Sequence, residues 1–334
     1  TDLGQPQADN NAAVGTGNIY TQPALPADPT YADPYTNLRE RSTEFFAYDA
    51  IEWAPGLSTW LGLRHTRLNR HSVRTDGSRE TDYQRSFTTP WLAGSWQLTP
   101  AHMLYASWGK GVESEVAPGR SRYTNAGQPL PTLESRQWEM GLKHDDGRVR
   151  WNATLFNITR PLSGDLGSCD AAGTCTRLID GDARHRGVEL GAGTRLGAWS
   201  LQGSASFIHA RRRGGVIAPE LNGQAPTNVP EWVLRASLGY RFAAVPGLSA
   251  VASLSHEGRR NVLPDASVRL PSWTQLDAAL RYDTQLGGHK ATWTLAVENL
   301  ANRRFFKESP YQYSHIYLFP AAPRTLRLAL QTNF

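Results

Sequence analysis

Beyond residue 40, apolar and polar side chains alternate along the chain in repeated segments of about 10–13 residues. A period of two is the pattern of a β-strand whose two faces meet different surroundings. The clearest segment is 231–243, where Trp, Leu and Tyr side chains alternate with Arg235, Ser237 and Arg241. Residues 1–40 are instead rich in Gly, Asn, Asp and Pro and have no period, which predicts a loop.

Thirteen segments fit the pattern and predict thirteen strands of an all-β fold. Their ranges are 43–53, 57–68, 87–98, 102–112, 134–145, 148–160, 183–196, 199–210, 231–243, 248–257, 274–283, 290–299 and 325–334. Short turns alternate with long loops, and the long loops cover 69–86, 113–133, 161–182, 211–230, 258–272 and 300–323. Short periplasmic turns and long extracellular loops are typical of outer-membrane barrels.

The two unlike faces predict an antiparallel transmembrane β-barrel, because hydrocarbon cannot satisfy the backbone of an open sheet. No stretch approaches the roughly 20 apolar residues of a transmembrane helix. The residues expected to face lipid are Trp232, Leu234, Leu238, Tyr240, Leu276, Leu280, Leu326 and Leu328. The residues expected to form the lumen wall are Arg235, Arg241, Asp277, Arg281, Glu298 and Arg327. These charges either form a hydrated wall that pairs with itself or guide an anionic ligand.

The strand count predicts which part of a barrel this is. Counting back from a last strand that ends at Phe334, the first strand, 43–53, also runs from the outside toward the periplasm. Bacterial barrels usually have an even number of strands. We therefore expect 1–40 to belong to an extracellular loop and 41–334 to be the C-terminal part of a barrel whose earlier strands are missing.

Seven strings, in this order, resemble TonB-dependent siderophore receptors of the Gram-negative outer membrane. They are ESRQWEMGLK at 134–143, NATLFNITR at 152–160, RGVEL at 186–190, NVPEWVLR at 228–235, LPSWTQLD at 270–277, VENLANRRF at 297–305 and PRTLRL at 323–328. The resemblance implies a barrel of about 22 strands around an N-terminal plug, of which these are the last thirteen. It also implies a lipid-embedded receptor that imports ferric siderophores with energy from TonB, which would act through the missing plug.

Two long loops combine aromatic side chains with arginine. This combination suits a large ligand with flat rings and negative charge, as many ferric siderophores are. The candidate ligand-binding residues are Glu113, Arg120, Tyr123, Arg304, Phe306, Tyr311 and Tyr313. The alternative is that the aromatic residues serve only the membrane belt and loop packing.

Cys169 and Cys175 stand in a stretch rich in Gly, Asp and Ala, with no His or further Cys nearby at zinc-ligand spacing. This arrangement favours a disulfide formed in an oxidising compartment over a metal pair. We expect no resident metal or cofactor. No basic run has interleaved aromatics, so we expect no nucleic-acid partner and interpret Arg211–Arg213 as part of a solvated loop.

The string Gly-x-Ser-x-Gly of a hydrolase nucleophile does not occur, and no other catalytic set stands out, so we do not expect an enzyme. Four alternatives to siderophore transport stay open. They are uptake of haem, uptake of cobalamin or carbohydrate, a passive porin, and a hydrolase whose site is assembled from separate strands. The haem alternative is weakened because the strings Phe-Arg-Ala-Pro and Asn-Pro-Asn-Leu of such receptors are absent.

Overall fold

In the computed structural model, which describes residues 7–8, 35–74, 80–312 and 315–332, thirteen long strands account for most of the chain. Their bounds are β1 Tyr35–Ala54, β2 Leu57–Arg74, β3 Thr81–Thr99, β4 His102–Glu113, β5 Leu133–Asp145, β6 Val149–Gly167, β7 Cys175–Leu196, β8 Trp199–Arg213, β9 Trp232–Arg241, β10 Leu248–Glu257, β11 Trp273–Leu286, β12 His289–Glu298 and β13 Thr325–Thr332. The all-β fold and the thirteen strands predicted from the alternation are confirmed.

Each long strand pairs antiparallel with the next one along the chain, so the sheet is a simple meander. Gln7–Ala8 adds a short strand beside β1. Because the strands alternate in direction, all the long connections lie at one end of the sheet, the loop end, and all the short turns lie at the other, the turn end. No helix in the described part of the chain is long and apolar enough to cross a membrane.

The long connections carry small elements of their own. These are the 3-10 helix Pro219–Leu221 and three ribbons that pair Arg260–Asn261 with Arg269–Leu270, Phe306–Glu308 with Phe319–Pro320, and Tyr311–Gln312 with His315–Ile316. The ribbons satisfy backbone groups within the connections, which is what well-defined loops of this length require.

Several strands extend further at the loop end than the alternation predicts. Most of 161–182 and of 69–86 is strand, and Arg211–Arg213 completes β8 instead of lying in a loop. β1 begins at Tyr35, inside the segment expected to be loop. Above the membrane, both faces of a hairpin meet water, so its sequence need not alternate and periodicity cannot detect it. Phe334, the predicted end of the last strand, lies outside the described residues.

The pairing register separates the apolar positions from the charged ones. Residues directly opposite each other in an antiparallel pair project to the same face of the sheet. Leu280 lies between Ala250 and Leu295, whereas the neighbouring Arg281 lies between Ser249 and Thr294. By the same register, all eight residues expected to face lipid share one face, the apolar face. All six residues expected in the lumen wall share the other, the polar face.

Aromatic side chains border the apolar face at both ends. At the turn end they are Trp96, Trp151, Trp199, Tyr240, Tyr282 and Trp293; at the loop end they are Trp108, Trp138, Phe207 and Trp232. Several meet across strands, as do Trp199 and Tyr240, whose ring centroids are 4.4 Å apart. Paired aromatic bands around an apolar surface are the signature of a barrel in a bilayer.

Candidate ligand-binding site at the loop end

The connection 114–132 folds back against the hairpin of β6 and β7. The Tyr123 backbone bridges that of Cys175, and the Thr124 amide donates to the Cys175 carbonyl oxygen at 2.8 Å. The Tyr123 side chain is buried, and its hydroxyl donates to Asp165 Oδ2 at 2.9 Å. Burial, reinforced by this hydrogen bond, raises the pKa of Tyr123 to about 12. The hydroxyl therefore remains a donor at physiological pH and holds the connection to the hairpin.

Arg177 in β7 joins the same connection to both strands of the hairpin. Its Nε donates to Glu115 Oε1 at 3.0 Å, its Nη1 to Asp165 Oδ1 at 3.0 Å and its Nη2 to Ser163 Oγ at 2.7 Å. The Arg177 backbone also exchanges hydrogen bonds with the side-chain amide of Asn125. A planar guanidinium whose donors are used in three directions fixes the geometry of everything around it.

A disulfide closes the tip of this hairpin. Cys169 and Cys175 are bonded, with their Cα atoms 4.8 Å apart, and Cys175 is almost fully buried. The Cys175 amide donates to the Arg122 carbonyl oxygen at 3.1 Å, and the Gly173 amide donates to that of Ser121 at 2.9 Å. The cross-linked tip is therefore the surface on which the connection 114–132 docks.

The connection 114–132 also reaches the hairpin of β2 and β3. Gly127 has a positive φ of 72° and lies so close to Thr81 that an added Cβ would come within 3.0 Å of Thr81 Oγ1. Thr81, Leu68 and Tyr83 are buried, and the register places them on the polar face. The connection therefore lies over the polar face at the loop end.

A second cluster surrounds Trp273, the first residue of β11. The indole stacks on Phe305 with the ring centroids 4.7 Å apart, and the Arg235 guanidinium lies 5.7 Å from the indole centroid. Arg235 also forms an ion pair with Glu257, which forms another with the buried Arg260. Aromatic stacking and a cation over a ring face are both attractive contacts that fix the orientation of these side chains.

This cluster encloses a cavity of about 220 Å³, the Trp273 cavity. Its lining residues are Arg235, Ser255, Glu257, Trp273, Gln275, Lys307 and Glu308. Trp273 is 8% exposed, and within the described residues its indole Nε1 has no hydrogen-bond acceptor. A buried donor without a partner is costly, so the indole N–H is a group that a hydrogen-bond acceptor would stabilise.

The side-chain amides of Asn228 and Asn299 hold the connection 299–324 over this cavity. Asn228 Oδ1 accepts from the Ser309 amide at 2.9 Å and from Arg260 Nη1 at 3.2 Å. Asn299 is 1% exposed, and its Nδ2 donates to the carbonyl oxygens of Arg303 and Ala322 at 2.8 and 2.9 Å. These hydrogen bonds join residues far apart in the sequence and make the connection a well-defined wall.

The connection 214–231 links the two clusters. Asp180 Oδ1 in β7 accepts from the Val216 amide at 2.7 Å and from the Ile217 amide at 3.1 Å. At the other end, Asn261 Nδ2 donates to the Ala225 carbonyl oxygen at 3.2 Å. The long connections therefore form one hydrogen-bonded layer at the loop end.

The sequence matches the family described as TonB dependent receptor-like, beta-barrel, over residues 2–300. The chain belongs to this family. It is 29% identical over 211 residues to the ferrichrome receptor FcuA of Yersinia enterocolitica, which covers 63% of the chain and 27% of that protein. It is 26% identical over 304 residues to the metal-pseudopaline receptor CntO of Pseudomonas aeruginosa, which covers 86% of the chain and 40% of that protein.

Its fold also resembles the crystal structure of BauA, the ferric preacinetobactin receptor from Acinetobacter baumannii. The TM-score is 0.76 at 23% identity, and the match covers 95% of this chain and 47% of that one. The chain thus spans less than half the length of these relatives. As part of a TonB-dependent receptor barrel, it lies in the outer membrane of Gram-negative bacteria.

The ligand-binding residues predicted from the sequence lie in or near the two clusters. In the first, Glu113 forms an ion pair with Arg160 at 2.5 Å, Arg120 lies in a turn of the connection 114–132, and Tyr123 is buried. In the second, Arg304 is exposed, and Phe306 and Tyr311 lie in short ribbons. Tyr313 lies outside the described residues. The contacts of Glu113 and Tyr123 are those of residues that hold loops in place.

Trp273 and Lys307 were missed as candidate ligand-binding residues by the sequence reasoning, which placed Arg235 only in the lumen wall. Trp273 opens a strand after Pro271, and its position in the alternation assigns it to the polar face. An aromatic residue on the polar face at the loop end is the signal that could have found it. In the described part of the receptor, no group of three or more His, Cys, Asp or Glu side chains is placed to hold a metal ion.

Proposed function

We propose that the full-length receptor imports ferric siderophores and that the Trp273 cavity forms part of the surface that binds them. The observation that carries the proposal is the buried indole N–H of Trp273, which lacks an acceptor among the described residues and lies beside Arg235 and Lys307. The similarity to receptors for ferrichrome and metal-pseudopaline supports the same class of ligand. Energy would come from TonB, as the family name implies.

The chemistry of the cavity suits an anionic iron chelate. Around it, the cations Arg235, Arg260 and Lys307 outnumber the carboxylates Glu257 and Glu308. The stacked rings of Trp273 and Phe305 offer an apolar surface to the flat parts of a chelator. Because the site lies under folded connections, its hydrogen bonds to a ligand are shielded from water and strengthened. Arg304, Phe306 and Tyr311 belong to the same connection as Phe305 and Lys307 and would add aromatic and basic side chains to this surface.

We propose the polar face as the wall of the lumen. Its charges largely pair with one another: Arg281 lies 3.0 Å from Asp283, and Arg327 lies 3.0 Å from Glu298. Exposed pairs of this kind contribute little to stability, but they keep the wall hydrated and without a strong field. This supports a self-paired wall for Arg281, Glu298 and Arg327 and leaves ligand selection to the loop end. Asp277 instead accepts hydrogen bonds from Gln275 and the Asn299 amide.

The decisive experiment is a binding titration of the purified full-length receptor, followed by tryptophan fluorescence. The probes are ferrichrome, ferrioxamine B, ferric citrate and a ferric catecholate, with haemin, cyanocobalamin and maltodextrin for the alternative ligands. One ferric siderophore should bind tightly, and Trp273→Phe should weaken it about tenfold or more, because the stacking ring stays while a donor to a charged acceptor is lost. Uptake of that siderophore by cells should require TonB.

Trp293→Phe is the matched control, because Trp293 lies on the apolar face at the turn end. It should leave the affinity unchanged. Tight binding of haemin, cyanocobalamin or maltodextrin without any ferric siderophore would move the function to that nutrient. Equal affinity of the Trp273→Phe receptor and the unaltered one would remove the Trp273 cavity from the site.

A further inference from the structure

Four arginines cross the apolar face just beyond its aromatic band at the loop end. In the pairing register, Arg136 of β5 lies opposite Thr159 of β6, and Thr159 lies opposite Arg184 of β7. Arg184 in turn lies opposite Arg211 of β8. Arg186 lies two positions from Arg184 on the same face. We call Arg136, Arg184, Arg186 and Arg211 the arginine row. Two positions closer to the turn end, the residues on these four strands are Trp138, Asn157, Arg186 and His209.

No acidic side chain of the described residues forms an ion pair with any member of the arginine row, although acids nearby are paired with other cations. Glu134 pairs with Lys110 at 3.1 Å, Asp182 with Arg213 at 3.0 Å and Glu231 with Arg259 at 3.3 Å. The row is therefore an uncompensated strip of positive charge on the outside of a membrane barrel. Such a strip attracts the phosphate groups of lipids at its own depth.

A buried amide orients the middle of the row. Asn157 is 7% exposed, and its Oδ1 accepts from Arg184 Nε at 2.5 Å and from Arg186 Nε at 3.3 Å. Using Nε for this contact leaves the terminal amino groups of both guanidiniums to bind another partner. Each guanidinium therefore keeps donors in the planar geometry with which arginine binds phosphate.

An apolar cavity of about 470 Å³ lies directly below these residues, on the same face. Trp138, Leu155, Val188 and Phe207 line its apolar part, and Asn157, Arg186, His209 and Glu231 line its upper edge. The cavity thus offers apolar side chains to a hydrocarbon chain directly beside the arginine row, which can bind an anionic headgroup. A water-soluble ligand of the receptor would instead enter along the polar face, on the opposite side of the sheet.

We propose that the arginine row and this cavity bind one phosphorylated, acylated glycolipid of the outer leaflet, the class to which lipid A of lipopolysaccharide belongs. An acyl chain fills the cavity between β5 and β8, and a phosphate on the sugar accepts hydrogen bonds from Arg184 and Arg186. Arg136 and Arg211 bind further anionic groups of the same molecule. The position of the arginine row in the membrane identifies the lipid that binds it. The row lies at the loop end, where only lipids of the outer leaflet place their headgroups.

The test is native mass spectrometry of the full-length receptor with defined lipids. The lipids are lipid A with both phosphates, the same lipid A after enzymatic removal of the phosphates, and phosphatidylglycerol. The receptor should bind phosphorylated lipid A about tenfold more strongly than the dephosphorylated form, as expected when charge-assisted hydrogen bonds are lost. The triple variant Arg184→Gln, Arg186→Gln and Arg211→Gln should lose this preference.

The matched control removes three arginines from the other side and end of the sheet: Arg148→Gln, Arg150→Gln and Arg195→Gln. It should bind lipid A as the unaltered receptor does. Asn157→Ala keeps every charge but frees the guanidiniums, and it should weaken binding severalfold. If the triple variant does not fold, as judged by heat-modifiable mobility in gels, Asn157→Ala and the single variant Arg186→Gln still decide. Unchanged binding in those variants, or equal binding of phosphatidylglycerol, would overturn the proposal.

Discussion

Single polar side chains organise the connections at the loop end of this receptor. Arg177 and Asn228 each bind partners from more than one segment, and Asn299 joins the two ends of the connection 299–324. Removing one such residue would leave its buried partners unsatisfied, which costs more than the hydrogen bond itself contributes. The apolar core at this end is small, so these residues determine how the connections fold.

Tyr123 offers a test at this scale. Tyr123→Phe removes the hydroxyl that donates to Asp165, and the docking of the connection 114–132 should weaken by about 1–2 kcal/mol. Trypsin should then cut the full-length receptor faster at Arg120 or Arg122 while global unfolding is unchanged. The control is Tyr83→Phe, since the buried Tyr83 hydroxyl has no partner among the described residues. That variant should be neutral, and equal proteolysis of both variants would contradict the role of Tyr123.

The same contact makes docking depend on alkaline pH. The pKa of Tyr123 is raised to about 12 in the folded receptor, whereas free tyrosine titrates at about 10. The stabilisation is therefore fully present below about pH 10 and is lost as the pH rises toward 12. Cleavage of the connection by an alkaline protease should accelerate in this window. Tyr123→Phe should remove the pH dependence, and a receptor that shows the same acceleration without the hydroxyl would refute this assignment.

At the scale of strands, the part of a strand that crosses the membrane differs in length and sequence pattern from the part that extends beyond it. The part that crosses the membrane alternates between an apolar and a polar face, and a barrel needs only about 9–11 residues for it. The hairpin of β6 and β7 continues well beyond that, with strands of 19 and 22 residues, and ends in the disulfide. The closed loop is short, so the cross-link contributes about 2–3 kcal/mol by chain entropy, confined to the tip.

The pairing register predicts that an introduced charge destabilises the receptor much more at one position of a strand than at the next. Leu280→Arg places a charge on the apolar face near mid-strand and should destabilise the full-length receptor by about 2–4 kcal/mol in a bilayer. Ala279→Arg, one residue away on the polar face, adds the same side chain at the same depth and should cost less than about 1 kcal/mol. Arg281→Lys should also cost little. Urea unfolding in lipid vesicles measures all three, and equal destabilisation at 279 and 280 would mean the faces are reversed.

At the scale of the whole molecule, the sequence predicts the strands that cross the bilayer. It does not predict the contacts that the connections form outside the bilayer. Lipid on one side and water on the other force alternation, so Leu280 and Arg281 could be assigned to opposite faces in advance. Contacts such as that of Asn228 with Ser309, 81 positions apart, leave no periodic signal. The position of Arg211 leaves no periodic signal either. It was interpreted as part of a solvated loop and instead lies in β8 on the apolar face.

Orientation is the remaining property of the whole molecule that the meander makes testable. Because the long connections all lie at one end, a single-cysteine scan should divide into two groups. Cys169 and Cys175 are bonded to each other, so neither should react with a thiol reagent in the unaltered receptor. Glu220→Cys, in the 3-10 helix of the connection 214–231, should react with a membrane-impermeant maleimide on intact cells.

Ala244→Cys, in the turn between β9 and β10, should react only after the outer membrane is permeabilised. Both positions are exposed, so a difference in labelling reflects the side of the membrane and not burial. Long extracellular loops and short periplasmic turns are the rule in outer-membrane barrels, which is the physical reason to expect this pattern. Labelling of Ala244→Cys on intact cells, with Glu220→Cys protected, would invert the receptor and place the Trp273 cavity and the arginine row on the periplasmic side.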